Sequence, residues 1–233
     1  MRLSKLPLPK LSLLGAVAAL ALSSLAAHAD SLSLGNAGQS LSFIFNGDHE
    51  TGSGGNVTPS SAVIGAKTVD FSAVYCVDLY DFINDNTVYN NTLFTTNGQV
   101  NGSTVHNAAK IAWLILNTTV TNDTEAAGLQ AAIWETEYGN DFALLTGGAI
   151  AADEADDLFA LSHGTVTSAL IAKLDWITPP TITIGHAKDE DTIDQQGLVA
   201  LPDPSPVPEP GTLSLLGTGI LGIAALVRRR TSA

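Results

Sequence analysis

One cysteine and one glutamine, 130 − 76 = 54 positions apart, are the residues of this chain with the most chemistry to offer. Cys76 is the only cysteine, so no internal disulfide can claim its sulfur. The plainest use of such a residue is as a small buried hydrophobe. Gln130 lies in Gly128-Leu129-Gln130-Ala131-Ala132-Ile133-Trp134-Glu135-Thr136-Glu137-Tyr138-Gly139. Flanked by Leu129 and Ala131, with Ile133 and Trp134 one turn on, its carboxamide is expected to be partly buried and in need of a partner. The simplest partner is a strand backbone that the side chain caps. A thiol held against that carboxamide has a second use: it attacks the carbonyl, expels ammonia and leaves a Cys-Gln thioester. That activated acyl group lasts only while packed away from water and is open to a well-placed amine.

Local patterns say which elements must bring the pair together. Asn122 followed by Glu125 starts a helix, Ala, Leu and Glu fill it, and Gly139 stands where a C-terminal stop belongs. Leu129, Ala132, Ile133 and Thr136, with Ala126 close by, form its apolar face, and Gln130 lies at the edge of that face. Cys76 ends an alternating segment, Val69, Phe71, Ala73 and Tyr75 against Asp70, Ser72 and Val74, which predicts a strand.

The two segments, Tyr75-Cys76-Val77-Asp78 and Leu129-Gln130-Ala131-Ala132-Ile133-Trp134, resemble the bacterial thioester domains. Those carry a Tyr/Phe-Cys-Val-Asp-like segment and a Thr-Gln-x-Ala-Ile-Trp helix. The match keeps Cys76, Gln130, Ala132, Ile133 and Trp134 and departs at Leu129, where the family has threonine. It spans about residues 43–176 and is strong at the two motifs alone. The resemblance implies Cys76 as acyl carrier and Gln130 as acyl donor, with Tyr75, Asp78, Leu129, Ile133 and Trp134 flanking the bond. It also implies covalent attachment to an amine-bearing surface protein or matrix polymer, in adhesion or biofilm. The acyl group is spent once, so no enzymatic turnover is expected, and neither a cofactor nor a metal is called for.

The two ends of the chain carry addresses. Residues 1–29 form a secretory signal: Arg2, Lys5 and Lys10 precede an apolar run, and Ala27-His28-Ala29 is a small-residue cleavage site. Residues 202–210 are a proline-rich extended spacer. Beyond Pro208-Glu209-Pro210, the apolar run 211–227 leads to Arg228-Arg229-Arg230. As a helix that run spans about 25 Å against a bilayer core of about 30 Å, with the basic cluster on the cytoplasmic side. This order resembles the PEP-CTERM sorting signal of Gram-negative bacteria. The resemblance implies an inner-membrane-anchored intermediate, processing by an exosortase, and release to the cell surface or outside it. A permanent C-terminal anchor is the simpler alternative.

Between these ends, residues 30–201 form the body. Removing the three signal and three tail cations leaves 10 − 6 = 4 Lys and Arg against 23 Asp and Glu over the body and spacer, residues 30–210, a balance of 4 − 23 = −19. Phosphate backbones are repelled by such a surface, so nucleic acid is not a partner, whereas cations and basic surfaces are favoured. Alternation predicts strands through residues 41–45, 63–77, 87–94, 181–184 and 197–201, with a loop from Asn46-Gly47 to Pro59 and the last two strands as a hairpin. Helices are predicted over 107–116, the Gln130 segment, 151–161 and 166–176. Asp153, Glu154, Asp156 and Asp157 read as a solvated helix face in preference to a calcium site. The expected fold is one α+β domain: a β-rich sandwich or barrel with the helices of 107–176 as an insertion or cap. Two other functions compete. One is a non-covalent structural or glycan-associated matrix protein in which Cys76 and Gln130 only pack. The other is a hydrolase using Cys76 with His49, His106 or His163, around which no peptidase-like motif occurs.

Overall fold

The computed structural model describes residues 29–184 and 191–203. The signal, the 211–227 run, the sorting motif with its arginines and most of the spacer lie outside the described residues. The fold is a mixed α+β arrangement in which a curled sheet forms a half-barrel.

Short strands come first: β1 (Ser31–Ser33), β2 (Gln39–Phe45), β3 (Asp48–Gly54), β4 (Ser60–Ile64) and β5 (Lys67–Cys76). Next come β6 (Val88–Asn90), β7 (Leu93–Thr95), β8 (Gln99–Val100) and β9 (Ser103–Thr104). Helices α1 (Ala108–Asn117) and α2 (Asp123–Tyr138) precede β10 (Phe142–Leu144) and α3 (Ala149–His163). After these come β11 (Asp175–Thr178), β12 (Ile182–Ile184), β13 (Asp191–Ile193) and β14 (Leu198–Pro202). The large sheet runs β6-β1-β4-β5-β14-β11-β7, and β10-β2-β3 form a second sheet.

Several expectations are corrected by turn chemistry. Asn46 and Gly47, both at positive φ (53° and 91°), make a two-residue hairpin turn from β2 into β3, so strand stands where a long loop was expected. Gly65 and Ala66, at φ 53° and 69°, break the expected 63–77 strand into the hairpin β4–β5. The expected strand over 87–94 is split into β6 and β7, on opposite edges of the large sheet. Residues 166–176 form no α-helix; a 3-10 turn, Ser168–Lys173, leads into β11. The last strands do not pair with each other: β12 pairs with β13, while β14 inserts between β5 and β11. The helices therefore do not form an uninterrupted cap, since β10 and β11 enter the sheets within their span.

Helix α2 is the pivot. Asn122 accepts hydrogen bonds from the N–H groups of Thr124 and Glu125 at 3.0 Å each, and Glu125 reaches back to the Thr121 N–H at 2.6 Å. Gly139 caps the far end at φ 57°. The expected single apolar face is an underestimate: every residue from Ala126 to Trp134 is buried. Two cores enclose the helix. Ala127, Ala131 and Trp134 pack with Leu41, Phe43, Phe45, Val74, Cys76 and Leu198, while Leu129, Ala132 and Ile133 pack with Tyr75, Val77, Ile111, Leu114, Trp176 and Val199. The helix sits so close to α3 that a Cβ on Gly128 would lie 2.5 Å from Asp153 Cβ, which explains a glycine in mid-helix. On α3, Glu154 is buried, so the four acids are not one solvated face.

A register shift decides which core each residue of β5 joins. Leu201 pairs with Ala73 but Pro202 with Phe71, one step on β14 against two on β5. The extra residue turns the strand by one position. Phe71, Val74 and Cys76 consequently share one core, and Tyr75 and Val77 the other. Among the described residues no helix is long and apolar enough to cross a membrane.

Candidate functional site

Beyond Phe71, β5 outruns its neighbour β4, whose Ser60 pairs with Phe71, and the polar groups on that side need other partners. Asn56 supplies two: its Nδ2 donates to the Ser72 carbonyl at 3.1 Å and its Oδ1 accepts from the Val74 N–H at 2.8 Å. The Val57 N–H donates to the Val74 carbonyl at 2.9 Å. Gln130 completes the row. The Cys76 N–H donates to Gln130 Oε1 at 2.9 Å, and Gln130 Nε2 donates to the Cys76 carbonyl at 2.8 Å. The carboxamide thus replaces one peptide unit of a missing strand, with 0 % of the residue exposed. A Cβ on Gly54 of β3 would lie 3.2 Å from Gln130 Cγ, so the hairpin holds the side chain in place.

Burial, with a smaller contribution from the negative charges of Asp85 and Asp78, pushes the Cys76 thiol up to about 12. It is therefore a neutral S–H at physiological pH. Cys76 and Trp134 line the inner part of a cleft of about 550 Å³. One wall is the β2–β3 hairpin, with Phe43, Phe45, Asp48 and Glu50; the other is the segment from Leu79 to Asp85, with Tyr80, Asp81 and Phe82. Among the described residues no lysine, arginine or histidine lines it. The indole Nε1 of Trp134 is buried without a hydrogen-bond partner among the described residues, although the ring packs 5.3 Å from Phe43.

The second wall is tied down. Asp78 Oδ1 accepts from the Tyr80 N–H at 2.8 Å, and its Oδ2 accepts from Asn101 Nδ2 at 3.1 Å. Gln196 Nε2 donates to the Asp78 carbonyl, and Tyr138 Oη accepts from the Leu79 N–H at 3.0 Å. Tyr80, Tyr138 and Phe45 meet edge to face, with centroids 4.9–6.0 Å apart.

The residues expected around the bond separate into two groups. Cys76, Gln130 and Trp134 converge, and Asp78 braces the cleft wall. Tyr75, Leu129 and Ile133 belong to the opposite core and flank nothing at the thiol. The histidines considered as bases are not in the lining of the cleft: His49, on β3, pairs with Ile44 of β2, His106 bonds Glu137, and His163 packs on Phe159. Sequence reasoning passed over Asn56, Gly54 and the acidic and aromatic lining. The run Tyr80-Asp81-Phe82-Ile83-Asn84-Asp85, directly after the cysteine motif, was the available signal.

Residues 206–230 match the PEP-CTERM protein-sorting motif. Such a motif marks a protein exported by way of the membrane to the cell surface and processed by an exosortase. No curated protein and no solved structure matches the chain.

Proposed function

We propose that this exported protein carries an internal thioester between Cys76 Sγ and Gln130 Cδ and uses it once, for covalent attachment to an amine. The observation that carries this reading is the pair of hydrogen bonds between the Gln130 carboxamide and the main chain of the residue that bears the thiol. The Cys76 N–H donates to the oxygen of the carbonyl to be attacked, so it polarises that carbonyl and holds the charge of a tetrahedral intermediate. In the forming step the S–C bond is made, the C–Nε2 bond breaks, and the thiol proton leaves on nitrogen as ammonia. Desolvation that disfavours a thiolate favours a neutral acyl product and keeps water from it. Adhesion or anchoring in an extracellular matrix is the use that suits an exported, sorted chain.

A second reading has its own observation. Both Gln130 bonds go to backbone atoms and leave the carboxamide satisfied, which is all that a strand cap in a non-covalent structural or glycan-associated matrix protein requires. Intact mass separates the two. The exported protein, collected without amine buffers, is expected to be lighter than its sequence by one ammonia, and methylamine should convert it to an adduct with a free thiol. Cys76→Ala should show neither. A full mass with a free thiol and no adduct would leave Gln130 a strand cap.

A further inference from the structure

The geometry points to a cationic amino-sugar chain, a polysaccharide with free amines, as the ligand of the cleft beside Cys76. Three features select it. Asp48, Glu50, Asp81 and Asp85 line the cleft and no cationic side chain among the described residues does, so this lining is complementary to ammonium groups. Tyr80 and Phe82 are 66 % and 84 % exposed at the same opening. Rings of that size left uncovered beside carboxylates offer flat faces to the C–H surface of a pyranose and to a neighbouring ammonium. Deeper in, Trp134 joins the lining and adds a further aromatic ring to the same cleft.

Size and proton chemistry favour an amino sugar over a lysine of a partner protein. The volume of about 550 Å³ falls in the range, about 300–1,000 Å³, of pockets that enclose a whole small molecule, more than one lysyl chain occupies. Carboxylates stabilise the protonated form of a bound amine. A lysine, with an ordinary value of about 10.4, is then held as a non-nucleophilic ammonium. The amine of an amino sugar, made less basic by the adjacent oxygens, exchanges between a charged form that docks and a neutral form that attacks. The Asp81 carboxyl is raised by partial desolvation and by Asp78 and Asp194, a cluster of like charge that a bound cation relieves.

Docking is non-covalent and stands by itself; the covalent step that follows rests on the thioester reading. In that step the amine nitrogen bonds to Gln130 Cδ, the C–S bond breaks, and one amine proton passes to Sγ. The product is an amide at Gln130 and a free Cys76 thiol.

The test uses the exported protein and its Cys76→Ala form, which cannot make a thioester, titrated calorimetrically with a glucosamine oligomer, its fully N-acetylated counterpart and a lysine-rich peptide. Cys76→Ala is expected to bind the glucosamine oligomer, with affinity falling as salt rises. The acetylated oligomer and the peptide should each bind about tenfold more weakly, and so should the glucosamine oligomer on Asp81→Asn/Asp85→Asn or, separately, on Glu50→Gln. Equal binding of the acetylated oligomer, tighter binding of the peptide, or no binding would overturn the proposal. The two readings fail separately. Binding by Cys76→Ala while the unmutated protein never yields a methylamine adduct removes the thioester and keeps the ligand. A methylamine adduct without oligomer binding keeps the thioester and removes the ligand.

Discussion

The two sides of the last turn of β5 are built from the same kinds of residue but finished differently. On one side Tyr75 and Val77 close against α1, Trp176 and Val199. There Trp176 is fully buried and its Nε1–H reaches the Ile171 carbonyl at 3.0 Å, so the polar group is satisfied. On the other side Val74 and Cys76 pack against the β2–β3 hairpin and Trp134, whose Nε1–H has no partner among the described residues, and that core opens into an acidic, aromatic cleft. One tryptophan is finished by the fold and the other is left with a donor to spare. The closed side carries stability, and the open side carries unsatisfied capacity next to the one thiol.

Breaking the closed side should cost most. Trp176→Ala is expected to destabilise the protein by about 3–5 kcal/mol through lost burial and a cavity, as read by denaturant unfolding. An effect below about 1 kcal/mol would mean that this core is not the mainstay it is taken for here. Gln130→Leu comes next: it keeps the volume but orphans the N–H and C=O of Cys76, at about 2–3 kcal/mol. Hydrogen exchange should place the new protection loss at Cys76 and leave Tyr75, bonded towards β14, protected.

A smaller, pH-dependent effect should come from the helix pair behind the site. Burial, and then the carboxyl of Glu135 by charge and hydrogen bond, raise Glu154 from 4.5 to about 7. The folded state therefore holds this proton more tightly than the unfolded chain does, and stability is greatest below the unfolded value and declines as pH rises from about 4.5 to about 7. Burial raises Glu137 to about 7 and Asp157 to about 6, in the same sense. Tm should fall across this interval, and Glu154→Gln should flatten the fall; a Tm that rises with pH would contradict it. Smallest of all, Phe82→Ala on the exposed wall should change stability by no more than about 0.5 kcal/mol while weakening any ligand of the cleft.

Much of the local structure was legible in the sequence. The cap at Asn122, the stop at Gly139, the buried helix between them and the strand ending at Cys76 all follow from short-range chemistry, and each occurs where those residues put it. The juxtaposition of Gln130 with Cys76 was expected from two motifs, and the carboxamide indeed meets that residue's main chain. The hairpin turns at Asn46-Gly47 and Gly65-Ala66 were passed over. There the Gly- and Ser-rich composition of β3 resembles a loop, and only pairing with β2 makes it strand.

By itself, then, the sequence determined the sorting address at its C-terminal end, the acidic body, the single thiol and the helix that carries Gln130. These are properties of composition and of neighbours a few residues apart. The face on which Cys76 emerges was decided by the tertiary structure alone. The alternation of β5 sets Tyr75 with Val69 and Phe71, but the shifted register against β14 breaks that phase and sends Cys76 to the side of Phe71. The strand period is two, so one inserted residue exchanges the faces of everything after it. The β14 partner that imposes the shift lies more than a hundred residues away, at Leu198–Pro202, and no local pattern records it. The cleft has the same origin: its walls, β2–β3 and the segment after Cys76, become neighbours only when α2 has packed between the two cores.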